Sequence, residues 1–400
     1  MDFISSSFFE SDIYIIAAAL ILSLPTAIYM LRRRRALVSQ SKTGCAEDVG
    51  SGGLPAVSVV VYADNTNCDF LEDSIRAIMS QNYDDYEVIV AYYDYSDCIS
   101  DVLTRLSVEY PLLRNTFVPD SNKNISVRKL ATMLGIKAAK NDVVVLTAAD
   151  YAPESQDWLR AMACHFDEST GLVVGYSRPN SESDGGVGHR YRSFEGVMDA
   201  SQYLASASRG RVFRGDRNNI AYRKQLFFDN KGFSRHMNLK YGDDDIFISE
   251  IAGFTDSAVE ISPAGIISQI SDADRSRFGR EKRHRAFTIE KLCPRAMKVG
   301  SAMTAVRCAF LLCVAVLVAR ACMLWLASPD RYVEPAILGG SAVVLYLAEV
   351  SIYISSYRKI AGILQAPRLL FTLPFFRFLR PIVSLYYKIQ SSRTDNYTWE

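Results

Sequence analysis

The run Pro55-Ala56-Val57-Ser58-Val59-Val60-Val61-Tyr62-Ala63-Asp64 decides the fold. Val57 to Tyr62 is a continuous apolar, β-branched stretch, as expected of a strand buried on both faces rather than one. A polar segment over residues 37–54, with Ser51-Gly52-Gly53 near its end, precedes it and reads as a linker. After it, helical and strand patterns alternate. Phe70–Met79 has helical spacing, Glu87–Ala91 is a second buried strand and Val102–Val108 is helical. Asn115–Val118 makes a third strand, Val127–Ala139 a helix, Val143–Leu146 a fourth strand, Trp158–Phe166 a helix and Leu172–Tyr176 a fifth strand. This alternation predicts an α/β domain with a mostly parallel sheet and right-handed crossovers.

Ligands of such sheets sit outside the carboxyl ends of the strands. Those ends read Tyr62-Ala63-Asp64-Asn65, Tyr92-Tyr93-Asp94 and Thr147-Ala148-Ala149-Asp150. No Gly-x-Gly-x-x-Gly follows the first strand and no Gly-Lys-Ser/Thr phosphate loop occurs, which disfavours a dinucleotide or P-loop site.

Further along, Asp243-Asp244-Asp245 stands between Gly242 and the apolar run Ile246-Phe247-Ile248. Adjacent carboxylates repel, and on a helix they fan out about 100° apart, so one or two of them face any given pocket. A desolvated carboxylate beside a hydroxyl is a general base. The same triplet also suits a helix N-terminus, where acids complement the dipole.

Lys+Arg 45 against Asp+Glu 44 gives a formal net charge of +1, which argues against nucleic acid as a partner. The eight cysteines contain no Cys-x-x-Cys pair and the histidines, His165, His189, His236 and His284, lack metal-ligand spacing. Neither a disulfide framework nor a zinc site is expected, and reduced thiols suit a cytosolic domain.

Ile13–Met30 is almost wholly apolar and is followed by Arg32-Arg33-Arg34-Arg35. A cleaved signal peptide carries its charge before the apolar run, so residues 1–36 read as an uncleaved anchor with the arginines inside. Residues 304–327 and 335–354 read as two further spans, each near the roughly 20 residues that cross hydrocarbon. Arg320 and Glu349 fall within them, and a pairing between the two is one expectation, with Arg320 snorkelling outward as the other. Residues 358–400 alternate Pro, large apolar residues and Arg, which predicts an interfacial tail in contact with membrane lipids rather than a fourth span.

The layout of residues 55–292 resembles a family 2 glycosyltransferase of the GT-A fold, membrane-bound bacterial type. The resemblance is carried by the opening strand 55–61, by Ser80-Gln81-Asn82-Tyr83-Asp84-Asp85-Tyr86-Glu87 leading into the second strand, and by Leu146-Thr147-Ala148-Ala149-Asp150 with Pro153 and Trp158-Leu159 at the aspartate-x-aspartate turn. Asn219-Ile220-Ala221-Tyr222-Arg223, Gly232-Phe233 and Gly242-Asp243-Asp244-Asp245 are similar to the acceptor-side segment and base motif, and Arg280-Glu281-Lys282-Arg283-His284 stands where the family has its Gln-x-x-Arg-Trp-type helix. Departures are Tyr92 and Tyr93 in place of the nucleobase aspartates, Ala148 in place of the first paired aspartate, and Arg280 and His284 in the late motif.

The resemblance implies an inverting transferase that moves a sugar from a nucleotide-sugar donor to a lipid-linked or glycan acceptor, on the cytoplasmic face of a bacterial inner membrane. It assigns Asp244 as base with Asp243 orienting it or capping the helix, leaves Asp245 toward solvent, and places Asp150 on a divalent cation, Mg²⁺ or Mn²⁺. Asp64, Tyr93, Asp94, Arg283 and His284 would line the donor. Ala148 and the two tyrosines motivate a second expectation from another class, a catalytically silent transferase-like membrane scaffold or nucleotide-binding protein.

Overall fold

The computed structural model describes residues 2–42, 53–64, 68–93, 97–118, 126–180, 186–237, 239, 241–243, 245–271, 275–289, 292, 294–327 and 332–393. The strands are β1 (Val57–Ala63), β2 (Tyr86–Tyr93), β3 (Leu113–Val118), β4 (Val143–Ala148), β5 (Tyr151–Pro153), β6 (Thr170–Val174), β7 (Ser177–Arg178), β8 (Ile220–Arg223), β9 (Asp256–Val259) and β10 (Ile267–Gln269). The helices are α1 (Asp2–Gln40), α2 (Leu71–Met79), α3 (Asp97–Glu109), α4 (Val127–Ala138), α5 (Trp158–Ala163), α6 (Val187–Ala207), α7 (Lys224–Asp229), α8 (Ile246–Ile251), α9 (Arg275–Thr288), α10 (Pro294–Ala327), α11 (Val333–Ile363) and α12 (Leu373–Ser392).

A seven-stranded sheet runs in the order β3-β2-β1-β4-β8-β6-β9. β1 lies at its centre, parallel to β2 and β4, with Val59 opposite both Val88 and Val145. All seven of its residues are buried, which is why its sequence does not alternate. The sequence reading names five strands and misses the short ones, β5, β7, β8, β9 and β10. β8 enters antiparallel between β4 and β6, with Ala221 opposite Val145 and Val173. Four residues are too few to show a period. On one face pack α4, α6 and α8 with an aromatic cluster that includes Phe194, Tyr222, Phe233 and Phe247; on the other pack α2, α3 and α5, with Ile75, Leu103 and Trp158. A small sheet, β5-β10-β7, stands beside the carboxyl end of β4.

Among the described residues three helices are long and apolar enough to cross a membrane, over Asp12–Gln40, Val299–Ala327 and Val333–Ile363, and they pack together. The pairing expected between Arg320 and Glu349 does not form. Arg320 reaches Asp12 of α1 with two bonds, at 3.1 and 3.2 Å. Glu349 is 5% exposed and takes a two-pronged bond from Arg377 of α12. Each charge finds a closer partner at its own height, one on the first helix and one on the tail. α12 runs through Pro381 as one helix, and its exposed row of Phe375, Phe378, Ile382 and Leu385 follows helical spacing.

The thiols also depart from expectation. Cys68 and Cys98 form a disulfide, with Cα atoms 6.4 Å apart. The two residues follow β1 and β2, and neighbouring parallel strands deliver their outgoing segments side by side. Cys308, Cys313 and Cys322 are free thiols.

Candidate active site

The carboxyl end of β1 supplies the first side of the site. Tyr62 is buried there, and its hydroxyl is bonded to Asp64. Burial first, and then the charge of Asp64, push the phenol above its ordinary value, so it stays protonated. The guanidinium of Arg128, from the first turn of α4, lies over the Tyr62 ring at 4.5 Å from the centroid. Its Nε is 3.4 Å from Oδ2 of Asp243, the first aspartate of the triplet. Tyr62, Arg128, Thr147, Arg217, Phe233 and Asp243 line a common cleft. The tip of β1, the start of α4, the end of β4 and the first aspartate of the triplet therefore converge.

The triplet is presented by a sharp backbone turn. Gly242 has φ +109°, and a Cβ there would stand 2.8 Å from Ile246 Cδ1. A side chain at this position is strained by the backbone, and its Cβ would have to push the end of the Ile246 side chain aside. Asp245 corrects the sequence reading: it is 4% exposed, not solvent-facing. It caps α8 by accepting from the Ile246 N–H at 2.7 Å, and its other oxygen accepts from the Thr288 hydroxyl. A carboxylate with two such donors serves the helix start. Asp243 faces the cleft. Burial raises the proton affinity of its carboxyl, but Arg217, Arg128 and Lys129 outweigh burial and hold its pKa at about 2. Asp243 is thus an anion at any ordinary pH. Asp244, the expected base, and Asp94 lie outside the described residues.

α9 closes the site from the other side. The His284 ring stacks on Tyr241, just before Gly242, with centroids 3.3 Å apart. Burial and the neighbouring Arg217 lower its pKa to about 3, so the ring is neutral. Arg283, next to it, is half-buried. The rest of the basic run does something else. Lys282 and Arg285 bond Asp199 of α6 at 2.9 and 2.8 Å, and Arg380 of α12 bonds the same carboxylate at 2.8 Å. One face of α9 therefore fastens the helix to the domain and to the tail, while His284 and Thr288 meet the triplet.

Asp150 ends the β4 turn, 3% exposed, and accepts from the Ser271 hydroxyl at 3.1 Å. Thr147, three residues earlier, lines the cleft. Ala148 and Ala149 are buried in the core and bring no second carboxylate. A hard cation fits this donor set, since Mg²⁺ and Mn²⁺ accept one carboxylate together with diphosphate oxygens and water. Among the described residues one group of three potential metal ligands occurs, Cys68, Asp69 and Cys98, away from Asp150, and there the two sulfurs are bonded to each other. Tyr93 is half-buried and packs against the core, and Tyr92 stands 5.3 Å from Phe117.

The structure therefore brings together Asp64, Asp243 and His284 through residues the sequence reading passed over: Arg128, Arg217 and the ring of Tyr62. The available signal was Arg128-Lys129 in the first turn of a helix whose neighbours are apolar.

Comparison with known proteins gives the class to which this fold belongs. The model of glycosyl transferase family 21 matches residues 15–399, and the chain belongs to that family. The family number differs from the resemblance read in the sequence; the class, glycosyltransferase, is the same. No curated protein matches the chain in sequence. Among solved structures, the chain is similar to the mannosyltransferase PcManGT from Pyrobaculum calidifontis in complex with GDP-Man and Mn²⁺, at 18% identity and a TM-score of 0.55, over 88% of this chain and 99% of that one. At that identity the likeness speaks for the fold.

Proposed function

We propose that the protein is an inverting glycosyltransferase that moves a sugar from a nucleotide-diphosphate donor to a lipid-linked or glycan acceptor at a bacterial inner membrane, with its catalytic domain on the cytoplasmic side; Arg32–Arg35 after the first span support that side, and the Cys68–Cys98 disulfide runs against it. The observation that carries this reading is the convergence of Tyr62, Arg128, Arg217 and Asp243 on one cleft at the carboxyl ends of β1 and β4. In this reading Asp64, Tyr93 and Asp94 would contact the nucleoside, and Arg283 and His284 of α9 the diphosphate. Asp150 would hold a Mg²⁺ or Mn²⁺ ion, whose chemistry is to offset charge on the departing diphosphate. Arg128 and Arg217 add positive charge to the same cleft and support an anionic donor.

Asp244 is the base in this reading. It takes the proton of the acceptor hydroxyl while that oxygen forms its bond to the anomeric carbon, and the bond to the diphosphate breaks on the opposite face. Asp243 is poorly suited to that proton: a carboxyl held at about 2 by two guanidiniums and an ammonium binds protons weakly. Its part is to keep Arg128 and Arg217 in place.

The test is transfer or donor hydrolysis by the purified full chain, across GDP- and UDP-sugars with and without Mn²⁺. Turnover that depends on the cation and is abolished in a folded Asp244→Asn variant is the expected result. Ala148, buried where the aspartate-x-aspartate turn has its first acid, favours a second reading, a silent transferase-like scaffold. That reading is correct if no donor turns over yet nucleotides still raise the melting temperature.

A further inference from the structure

Lys129 is a fully buried lysine, 0% exposed, one residue after the arginine that lines the cleft. An ammonium taken out of water requires compensation, and lysine has three protons to give. Among the described residues four acceptors lie around its Nζ: the carbonyl oxygens of His236 at 2.7 Å, Leu239 at 2.9 Å and Tyr241 at 2.9 Å, and His236 Nδ1 at 3.0 Å. Three of these are main-chain groups within six residues, and the chain then passes directly into Gly242 and the aspartates. Backbone carbonyls that converge on one cation form a cage of the kind used for alkali ions. Here the side chain of α4 supplies the cation.

The histidine agrees with this arrangement. For the ammonium to donate to Nδ1, the ring proton must be on Nε2, so the ring is neutral. Burial first, and then the charge of Lys129, lower the proton affinity of His236, with a pKa at about 4. The same ammonium is among the charges that keep Asp243 ionised.

We propose that Lys129 is the positioning residue of the acidic triplet: by gathering the carbonyls of His236, Leu239 and Tyr241 it fixes the direction in which the chain enters Gly242 and the three aspartates, without touching donor or acceptor. Its consequence for turnover rests on the sugar-transfer reading above; the geometric claim does not.

The experiment uses the full chain in lipid nanodiscs and reads two quantities. The first is amide exchange by peptide, in wild type and Lys129→Met, which keeps the stem and removes the charge. Exchange in peptides covering 236–249 should rise about tenfold or more, while peptides over β1, β2 and β4 stay within about twofold. The second is kinetics: kcat should fall about 10²-fold with the donor KM within about twofold, the signature of misplaced chemistry with donor binding retained. Lys129→Ala should regain at least a third of the lost log kcat in ethylammonium, which refills the cage.

Unchanged exchange over 236–249, or a rise spread evenly through the domain, overturns the inference, and so does a donor KM that climbs as far as kcat falls. If Lys129→Met does not fold, Lys129→Gln, which keeps two N–H donors and no charge, is read in its place against the same limits. A wild-type protein that transfers no sugar defeats the functional reading, and the exchange measurement then decides the inference by itself.

Discussion

Two buried carboxylates in this protein meet arginine in opposite ways. Glu349, among the membrane helices, takes its ion pair from Arg377, with Thr26 of α1 at 3.5 Å and the Arg377 ring contact on Tyr353 closing the site, and a second guanidinium, that of Arg307, stands behind the pair on the Arg377 carbonyl at 2.7 Å. Asp243, in the cleft, lies under the influence of Arg217, Arg128 and Lys129 together, and one side of it faces a cavity. The first arrangement is enclosed on every side. The second gathers Arg217, Arg128 and Lys129 around a carboxylate that keeps one side open to a cavity. Charged groups beside an open cavity can meet a ligand and enclosed ones cannot, which separates a site from a fastening.

The comparison is broken most directly at the fastening. Glu349→Leu strands the Arg377 guanidinium at 6% residue exposure, and removing one partner of such a pair costs about 3–5 kcal/mol. Loss of folded protein in mild detergent, read by fluorescence-detected size exclusion on heating, is the expected outcome. Glu349→Leu with Arg377→Met together should be more stable than either single variant, because the pair is then replaced by apolar volume. If the double variant is no better than the singles, Glu349 and Arg377 are not the closed unit described above.

At the cleft the effect is smaller and depends on pH. His236 and His284 are held at about 4 and about 3, below the ordinary histidine value near 6.5. The unfolded chain binds their protons first, so the stability they contribute is complete above about pH 6.5 and is lost as pH falls toward 4 and 3. Asp243, held at about 2, acts in the window below: its contribution is present above about pH 4 and is lost as pH falls through 2. A wild-type stability curve should therefore drop in two stages on acidification. Asp243→Asn should remove the lower stage, worth about 2 kcal/mol, and reduce turnover about 10²-fold by releasing Arg128 and Arg217. A variant with wild-type turnover would mean that the arginines hold their places without the carboxylate.

The two regions were also unequally legible. The central strands could be read because Val57–Tyr62 and Glu87–Ala91 are buried on both faces, and that leaves a mark in any short window. The spans could be read because length and apolarity are all that a span needs. The charges inside them could not be paired from the sequence, since Arg320 and Asp12 are joined across helices 308 residues apart. At the cleft, Asp64, Asp243 and His284 were legible as acids or a ring at strand tips and in a motif. Arg128, Lys129 and Arg217 were not, because a basic residue at the start of a helix or in a loop has the pattern of a solvated face. Their inward aim is a property of tertiary packing. Asp245 was misread for the same reason, as its partner Thr288 is 43 residues away.

The smallest effect is expected at the other membrane pair, and it sharpens the contrast between a closed ion pair and a carboxylate that faces a cavity. Arg320 keeps about a quarter of its side chain exposed, while Asp12 is 4% exposed. Its two bonds to Asp12 are direct and nearly equal, which is the favourable fork geometry. Exposure leaves the guanidinium an alternative partner in the headgroup region or water, so the pair should contribute about 1 kcal/mol, far below the Glu349 pair. Arg320→Gln keeps donors to the carboxylate and should change the melting temperature in nanodiscs by only a few degrees. Asp12→Asn should do the same. Exchanging the two residues, Asp12→Arg with Arg320→Asp, should return stability to near wild type, because a matched pair has no required polarity, whereas no exchange of Asp243 with Arg128 should restore turnover in a cleft whose charge serves a ligand.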